Sequence, residues 1–293
     1  MQILRLSHVA VISVQVFPSH STAAQPKRRC MIPAFSINDI IYGVENREFL
    51  LRYRPQVNAA SGQLHALDTK LLWHSSKFGS QHGEQFLHAL EERGKHLNFL
   101  LFYLIRSLRA RQQLRNAGYS LPLAISLRLH DLQDPALVDA LMRVFRDSGD
   151  NPDGLTLILP SRLLDDFYQH IRPLSQLVDN GFHLAVSNFY QSPDSLGDTC
   201  CDMLSEIRLP PRLGTSLTDK QVRQRQLSQA VEAAQRHQWS CIVTGVENQQ
   251  DIQEALAMGA SLVQGHGVGD DLSASELATM LARVKQPRQI PRR

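Results

Sequence analysis

Cysteine is scarce and unpaired in this sequence. Only four occur among 293 residues. Cys200 and Cys201 are adjacent, which strains a bond between them, and Cys30 and Cys241 show no paired spacing. A disulfide framework is thereby excluded, and the absence of any Cys-x-x-Cys or Cys/His metal spacing excludes a zinc module. A reducing cytoplasm is the compartment this usage predicts. Charge of one sign is lacking as well. With 31 basic and 28 acidic residues the formal net charge is +3, too balanced to argue for nucleic acid. There is no apolar run long enough to span a bilayer. There is also no His-Glu-x-x-His, no Gly-x-Ser-x-Gly elbow and no Gly-rich turn after the first strand.

Residues 3–17 are moderately apolar, with small residues at Ser21 to Ala24, a pattern faintly like a secretory leader. His8, Ser13 and Gln15 interrupt the run, and Arg5 alone supplies positive charge. Residues 1–34 therefore read as a flexible extension, or as a start placed too early with Met31 as the true one. Residues 286–293 read as a basic, solvated tail. The body is 35–285.

Within that body, short apolar runs alternate with helical patterns. Strands are predicted at 48–54 (stopped by Pro55), 63–73, 121–127, 155–159, 182–186, 207–209, 241–243 and 262–264. Phe86, Leu90, Leu97, Leu101, Leu104 and Leu108 share one face, predicting a single long helix over 84–116 that Gly118 ends. Further helices are predicted at 135–146, 161–168, 174–180, 218–237 (opened by Ser216 with Asp219), 248–258 (with Asn248 as N-cap) and 274–284. Strands alternating with helices over about 250 residues imply an α/β fold with a parallel sheet closed into a (β/α) barrel, whose site lies at the C-terminal ends of the strands.

The residues at those ends carry a resemblance. Gly245-Val246-Glu247, Gln264-Gly265-His266, Leu71-Leu72-Trp73 and Leu132-Gln133-Asp134-Pro135 fall in an order and spacing that resemble the EAL family of bacterial signalling domains, over about residues 36–284. The resemblance implies a TIM-like (β/α) barrel of the EAL type. Members of that family hydrolyse cyclic di-GMP, bind it, or serve as protein-binding modules. Hydrolysis needs two Mg²⁺ or Mn²⁺ ions on carboxylates, to activate water and clamp the phosphodiester.

Aligned to that family, the sequence departs at nearly every metal position. The signature Glu-Ala-Leu reads Asp68-Thr69-Lys70, and the Arg two residues on reads Leu72. The metal-site Asn aligns with Ser126, and the next two Glu align with Ile158 and Ser161. The Asp-Asp-Phe-Gly-Thr-Gly loop reads Ser187-Asn188-Phe189-Tyr190-Gln191-Ser192. The catalytic Lys aligns with Arg208, which cannot act as a base. A further Glu aligns with Thr244, while Glu247 and Gln264 survive. No catalytic residue, no metal ligand set and no cofactor are expected, the Mg²⁺ or Mn²⁺ site being lost. Asp68, Ser126, Ile158, Ser187, Asn188, Arg208, Thr244, Glu247 and Gln264 are vestigial active-site positions. Arg54, Lys70 and Arg208 are the cations that could hold phosphates without metal.

The resemblance with these losses predicts a catalytically inactive, stand-alone EAL-like module in the bacterial cytoplasm. Its partner is expected to be a regulatory protein or a second copy of itself, on the 84–116 or 218–237 helix, with no nucleic acid and no membrane. The alternatives are a metal-independent cyclic di-GMP receptor and a weak phosphodiesterase. Among lesser features, Gly265-x-Gly267-x-Gly269 reads as a flexible loop and Glu247 as a carboxylate that fixes its own loop.

Overall fold

The structure, a computed structural model, describes residues 35–189, 196–210 and 220–285. The extension 1–34, the tail 286–293, Cys30, the Ser216 cap and Tyr190 to Ser192 lie outside these residues. The elements, in order, are α1 (Ile37–Glu45), β1 (Phe49–Asn58), β2 (Leu64–Ser75), β3 (Gly79–His82), α2 (Gly83–Glu91), α3 (His96–Asn116), β4 (Leu123–Ser126), α4 (Leu129–Gln133), α5 (Leu137–Ser148) and β5 (Leu155–Pro160). A 3-10 stretch, Ser161–Gln169, leads to α6 (Ile171–Asp179), β6 (His183–Ser187), α7 (Asp198–Met203), β7 (Glu206–Leu209), α8 (Lys220–His237), β8 (Ser240–Thr244), α9 (Gln249–Ala257), β9 (Leu262–Gln264) and α10 (Ala274–Lys285).

The sheet order is β1-β9-β8-β7-β6-β5-β4-β2-β3, and β1 also pairs with β2. Eight strands thus close into a barrel, with β3 added to the outside of β2. The expected α/β barrel is present, but one strand runs against the rest. β1 is antiparallel to both β2 and β9, while β2 and β4 to β9 run parallel. Nor does Pro55 stop β1. It sits opposite Leu67, and the strand continues to Asn58 past an irregularity at Gln56/Val57. Pro lacks only its own N–H, so a strand can carry it next to such an irregularity.

The predicted long helix is two. Gly94 adopts φ +59, its N–H reaches the Glu91 carbonyl at 3.0 Å, and the Lys95 N–H reaches the Leu90 carbonyl at 2.8 Å. This is a Schellman ending, and it turns the chain before α3 starts. Leu90 and Leu97 are seven residues apart, two helical turns, so the apolar phase survives the break and hides it.

Alternation along the parallel strands separates two apolar zones. Leu123, Ile125, Leu157, Leu159, Leu184 and Val186 belong to the large core beneath the helices. Ala124, Ile158 and Ala185 form a separate small cluster. They take the intervening positions and so line the barrel interior. At the other end of the first hairpin, Phe49 stacks on Trp73 at 5.4 Å and meets Phe86 and Phe99 edge-on. These rings fix the antiparallel β1–β2–β3 sheet that stands above the barrel mouth.

Candidate active site at the barrel mouth

The signature position Asp68 lies on β2, opposite Arg54 in the β1 register. Both of its carboxylate oxygens are engaged. The Gln56 Nε2 amide donates to Oδ1 at 2.6 Å, and Arg208 Nη1 donates to Oδ2 at 2.6 Å. Arg208 also donates from Nε to Glu206 Oε1, at 2.6 Å. The Asp68 and Arg208 side chains are only 6% and 4% exposed. Glu206 and Arg208 are two apart on β7, so both face into the barrel and the chain Gln56–Asp68–Arg208–Glu206 crosses it. Burial pushes the Glu206 carboxyl up, against the opposing pull of the Arg208 guanidinium. The Arg208 guanidinium is held firmly charged, because the two carboxylates outweigh its burial. One Arg208 nitrogen, Nη2, and the Gln264 Nε2 amide are buried without a hydrogen-bond partner.

The neutral positions around Asp68 are satisfied by the fold itself. The Ser187 hydroxyl donates to the Leu159 carbonyl at 3.0 Å, and the Thr244 hydroxyl to the Leu209 carbonyl at 3.2 Å. Each hydroxyl thus ties its strand to the one before it. Ile158 is buried in the small interior cluster. Ser126, at the end of β4, and Asn188, in the left-handed region at φ +51, are exposed. Thr69, beside Asp68, turns to the other face, where its hydroxyl lies 2.8 Å from that of Tyr103 on α3 and 3.1 Å from the Ala124 carbonyl. Among the described residues, no three His, Cys, Asp or Glu side chains come together in a way that could hold a metal ion.

The three candidate phosphate-binding cations are not equivalent. Arg54 is clamped by Asp271, Nε to Oδ1 at 2.5 Å and Nη2 to Oδ2 at 2.8 Å. Arg208 is buried between its two carboxylates. Lys70 is exposed and has no ion-pair or hydrogen-bond partner among the described residues. Crowding by neighbouring atoms and the nearby Arg54 charge hold its ammonium below the usual lysine range.

The loops after β8 and β9 depart from expectation. Glu247 is 59% exposed and lies 3.5 Å from His266. The carboxylate that fixes this loop is Asp251, which accepts the Glu247 N–H at 2.7 Å. Two of the three glycines after β9, Gly265 and Gly267, are packed rather than loose, while Gly269 stands in open space. A Cβ on Gly265 would stand 2.2 Å from the Val246 carbonyl oxygen, and one on Gly267 would stand 2.6 Å from the Asn248 nitrogen. His88 and His96, both inside the stretch predicted as one helix over 84–116, lie on α2 and α3, the first beside Glu91 and Glu92 and the second 3.8 Å from Asp134. Gln56, Glu206 and Asp271 were not anticipated. Glu206, two residues before Arg208 on a strand, was open to discovery from the alternation. The other two depend on cross-strand and loop placement.

Comparison with known proteins agrees with this architecture. The chain is 24% identical over 234 residues to RocR, a cyclic di-GMP phosphodiesterase of Pseudomonas aeruginosa, covering 79% of this chain and 59% of that protein. It is 20% identical over 247 residues to the oxygen sensor protein DosP of Escherichia coli, covering 82% of this chain and 30% of that protein. It therefore spans less than two thirds of either relative. Among solved structures, the PaMucR phosphodiesterase in complex with cyclic di-GMP superposes with a TM-score of 0.74 at 21% identity, covering 82% of this chain and 98% of that one. The EAL domain family matches residues 37–270, most of the chain, and the protein belongs to that family.

Proposed function

We propose that this chain is a catalytically silent EAL module that acts by binding a regulatory protein. The observation that carries the reading is the engagement of Asp68. It is the one carboxylate left at the signature position, and Gln56 and Arg208 take both of its oxygens. Two divalent cations need several free oxygen ligands in near-octahedral arrangement. Ser126, Ile158, Ser187, Asn188 and Thr244 offer no charge, and the hydroxyls of Ser187 and Thr244 are spent on backbone carbonyls. The donor set does not fit the Mg²⁺ or Mn²⁺ pair. Arg208 puts a fixed positive charge against Asp68, where a metal would have to compete with it.

The same contacts argue against a metal-independent cyclic di-GMP receptor. A phosphate on Arg54 would have to share the guanidinium with the Asp271 carboxylate, which already holds it by two bonds and would repel the phosphate. Leu72 supplies no charge where the family has a phosphate-binding Arg. We place the protein in the bacterial cytoplasm on its cysteine usage and family. Among the described residues, no helix is long and apolar enough to cross a membrane.

Calorimetric titration with cyclic di-GMP, with and without Mg²⁺ or Mn²⁺, tests the ligand half of this reading. No saturable heat below about ten micromolar is expected, which corresponds to roughly 7 kcal/mol of binding free energy. Tight binding abolished by Arg54→Ala favours the receptor instead. In-cell cross-linking of the full chain tests the other half, and the absence of any specific protein adduct would contradict it.

A further inference from the structure

The interior face of the first hairpin does not end at the barrel mouth. On β2, Asp68, Lys70 and Leu72 alternate onto one face, opposite Arg54, Arg52 and Leu50 on β1. His82 on β3 continues the outermost row beside Leu72. The ladder therefore passes from a buried ion pair to a basic row and then to an apolar row as it rises over the mouth. Leu50 is 39% exposed, among the few large apolar side chains left in solvent. The basic row is only loosely held. Lys70 makes no ion pair or hydrogen bond among the described residues and feels the Asp271 and Asp68 carboxylates only from a distance, and Arg52 meets the exposed Glu276 at 3.5 Å. Beside Lys70 and His82 a cleft of about 570 Å³ opens, walled by Phe86, Leu87, Leu127 and Ile158. That volume lies within the range of ordinary binding pockets, and its apolar wall suits an apolar side chain.

Two leucines beside a lysine without an ion pair and an arginine held only by an exposed glutamate, above an apolar cleft, are complementary to a chain carrying the opposite charge and its own apolar anchors. We propose that this lip docks an acidic peptide segment of a partner protein. Its carboxylates meet Lys70 and Arg52, its apolar residues cover Leu50 and Leu72, and one of them enters the cleft. The inference rests on the adaptor reading and names the site and the partner chemistry it leaves open. It moves the docking face from α3 and α8 to the barrel mouth.

The test is a selection of short, randomised, phage-displayed peptides on the native full chain, with counter-selection on Leu72→Glu. Enriched peptides are expected to combine Asp or Glu with Leu or Phe. Their affinity is expected to fall about tenfold or more for Lys70→Glu and for Leu50→Glu, and to weaken as salt is raised. Arg143→Glu, on the exposed face of α5, is expected to leave it unchanged, and circular dichroism verifies that each variant is folded. Failure to enrich, enrichment of peptides without acidic residues, or equal binding to the lip variants overturns the proposal. So does a homodimer in sedimentation that Leu50→Glu dissociates, since the lip would then be covered by a second copy. A photo-crosslinker placed in turn at Leu50 and at Ile105 of α3 separates this inference from the reading beneath it. A host protein captured from Ile105 but not from Leu50 sinks the lip and leaves the adaptor standing.

Discussion

The Asp68 carboxylate and the Arg208 guanidinium meet at 2.6 Å inside the barrel, 140 residues apart in sequence. The position that opens a metal site in the family is here one end of an internal ion pair. A buried pair of this kind is costly to break from one side, because the remaining charge is stranded away from water. Arg208 faces two buried carboxylates, so the stranding is removed only when Asp68 and Glu206 are both replaced along with it. Arg208→Met is therefore expected to lower stability in urea denaturation by about 3–5 kcal/mol, and adding Asp68→Leu and Glu206→Gln to recover most of it. A triple variant as unstable as the single one would show that the ion pairs themselves, rather than unpaired charges, carry the energy.

Glu206 gives the pair a pH signature. Its carboxyl is raised above the ordinary 4.5 by burial, the Arg208 guanidinium opposing. Between 4.5 and the raised value, the folded chain holds a proton that the unfolded chain has lost. Its contribution to stability is thus full below 4.5 and declines as pH rises through the folded value. Glu206→Gln keeps a side chain that can accept from Arg208 and does not titrate. Urea midpoints measured upward from about pH 5 are expected to fall less steeply for this variant than for the native chain. Parallel pH profiles would remove Glu206 from the account.

The loop after β9 makes a steric prediction. Gly265 has φ +154 and no room for a Cβ against the Val246 backbone, whereas Gly79 has φ +72 in open space. Gly79→Ala is expected to cost about 1 kcal/mol, for the left-handed backbone alone. Gly265→Ala is expected to cost about 3 kcal/mol or more, since backbone must also move. Thermal denaturation of the two variants compares them, and equal losses would mean that the loop is loose after all.

Thr69 carries a hydroxyl where the family signature has Ala, and α3 meets it with Tyr103. The Tyr103 hydroxyl donates to the Thr69 carbonyl and lies beside the Thr69 hydroxyl. Burial pushes the Tyr103 phenol upward, which keeps it a donor. Tyr103→Phe is expected to cost about 1–2 kcal/mol by leaving that carbonyl without its side-chain donor. The Thr69→Ala and Tyr103→Phe losses are expected to be less than additive, which a double-mutant cycle measures.

Much of the barrel was legible because parallel strands buried on both faces leave short apolar runs, such as Leu155 to Leu159 and Cys241 to Val243. The direction of β1 was not, because a period of two is the same in either direction. The break at Gly94 was hidden by the two-turn spacing of Leu90 and Leu97. At the site, Asp68 and Arg208 were legible one by one from family register. Their pairing was not, since it requires β2 and β7 to face each other across a closed barrel. Asp271, which neutralises Arg54, sits in the loop before α10, where no pattern marks a partner.

An ion pair, Asp68–Arg208, stands at the mouth of this EAL barrel, and on our proposal it takes the place of a metal pair. Hydrolysis of cyclic di-GMP by the purified full chain, assayed with Mg²⁺ and with Mn²⁺ beside an Asp68→Ala control, tests it most directly. No turnover above the control is expected with either metal. Metal-dependent hydrolysis by the native chain that disappears in Asp68→Ala would contradict it.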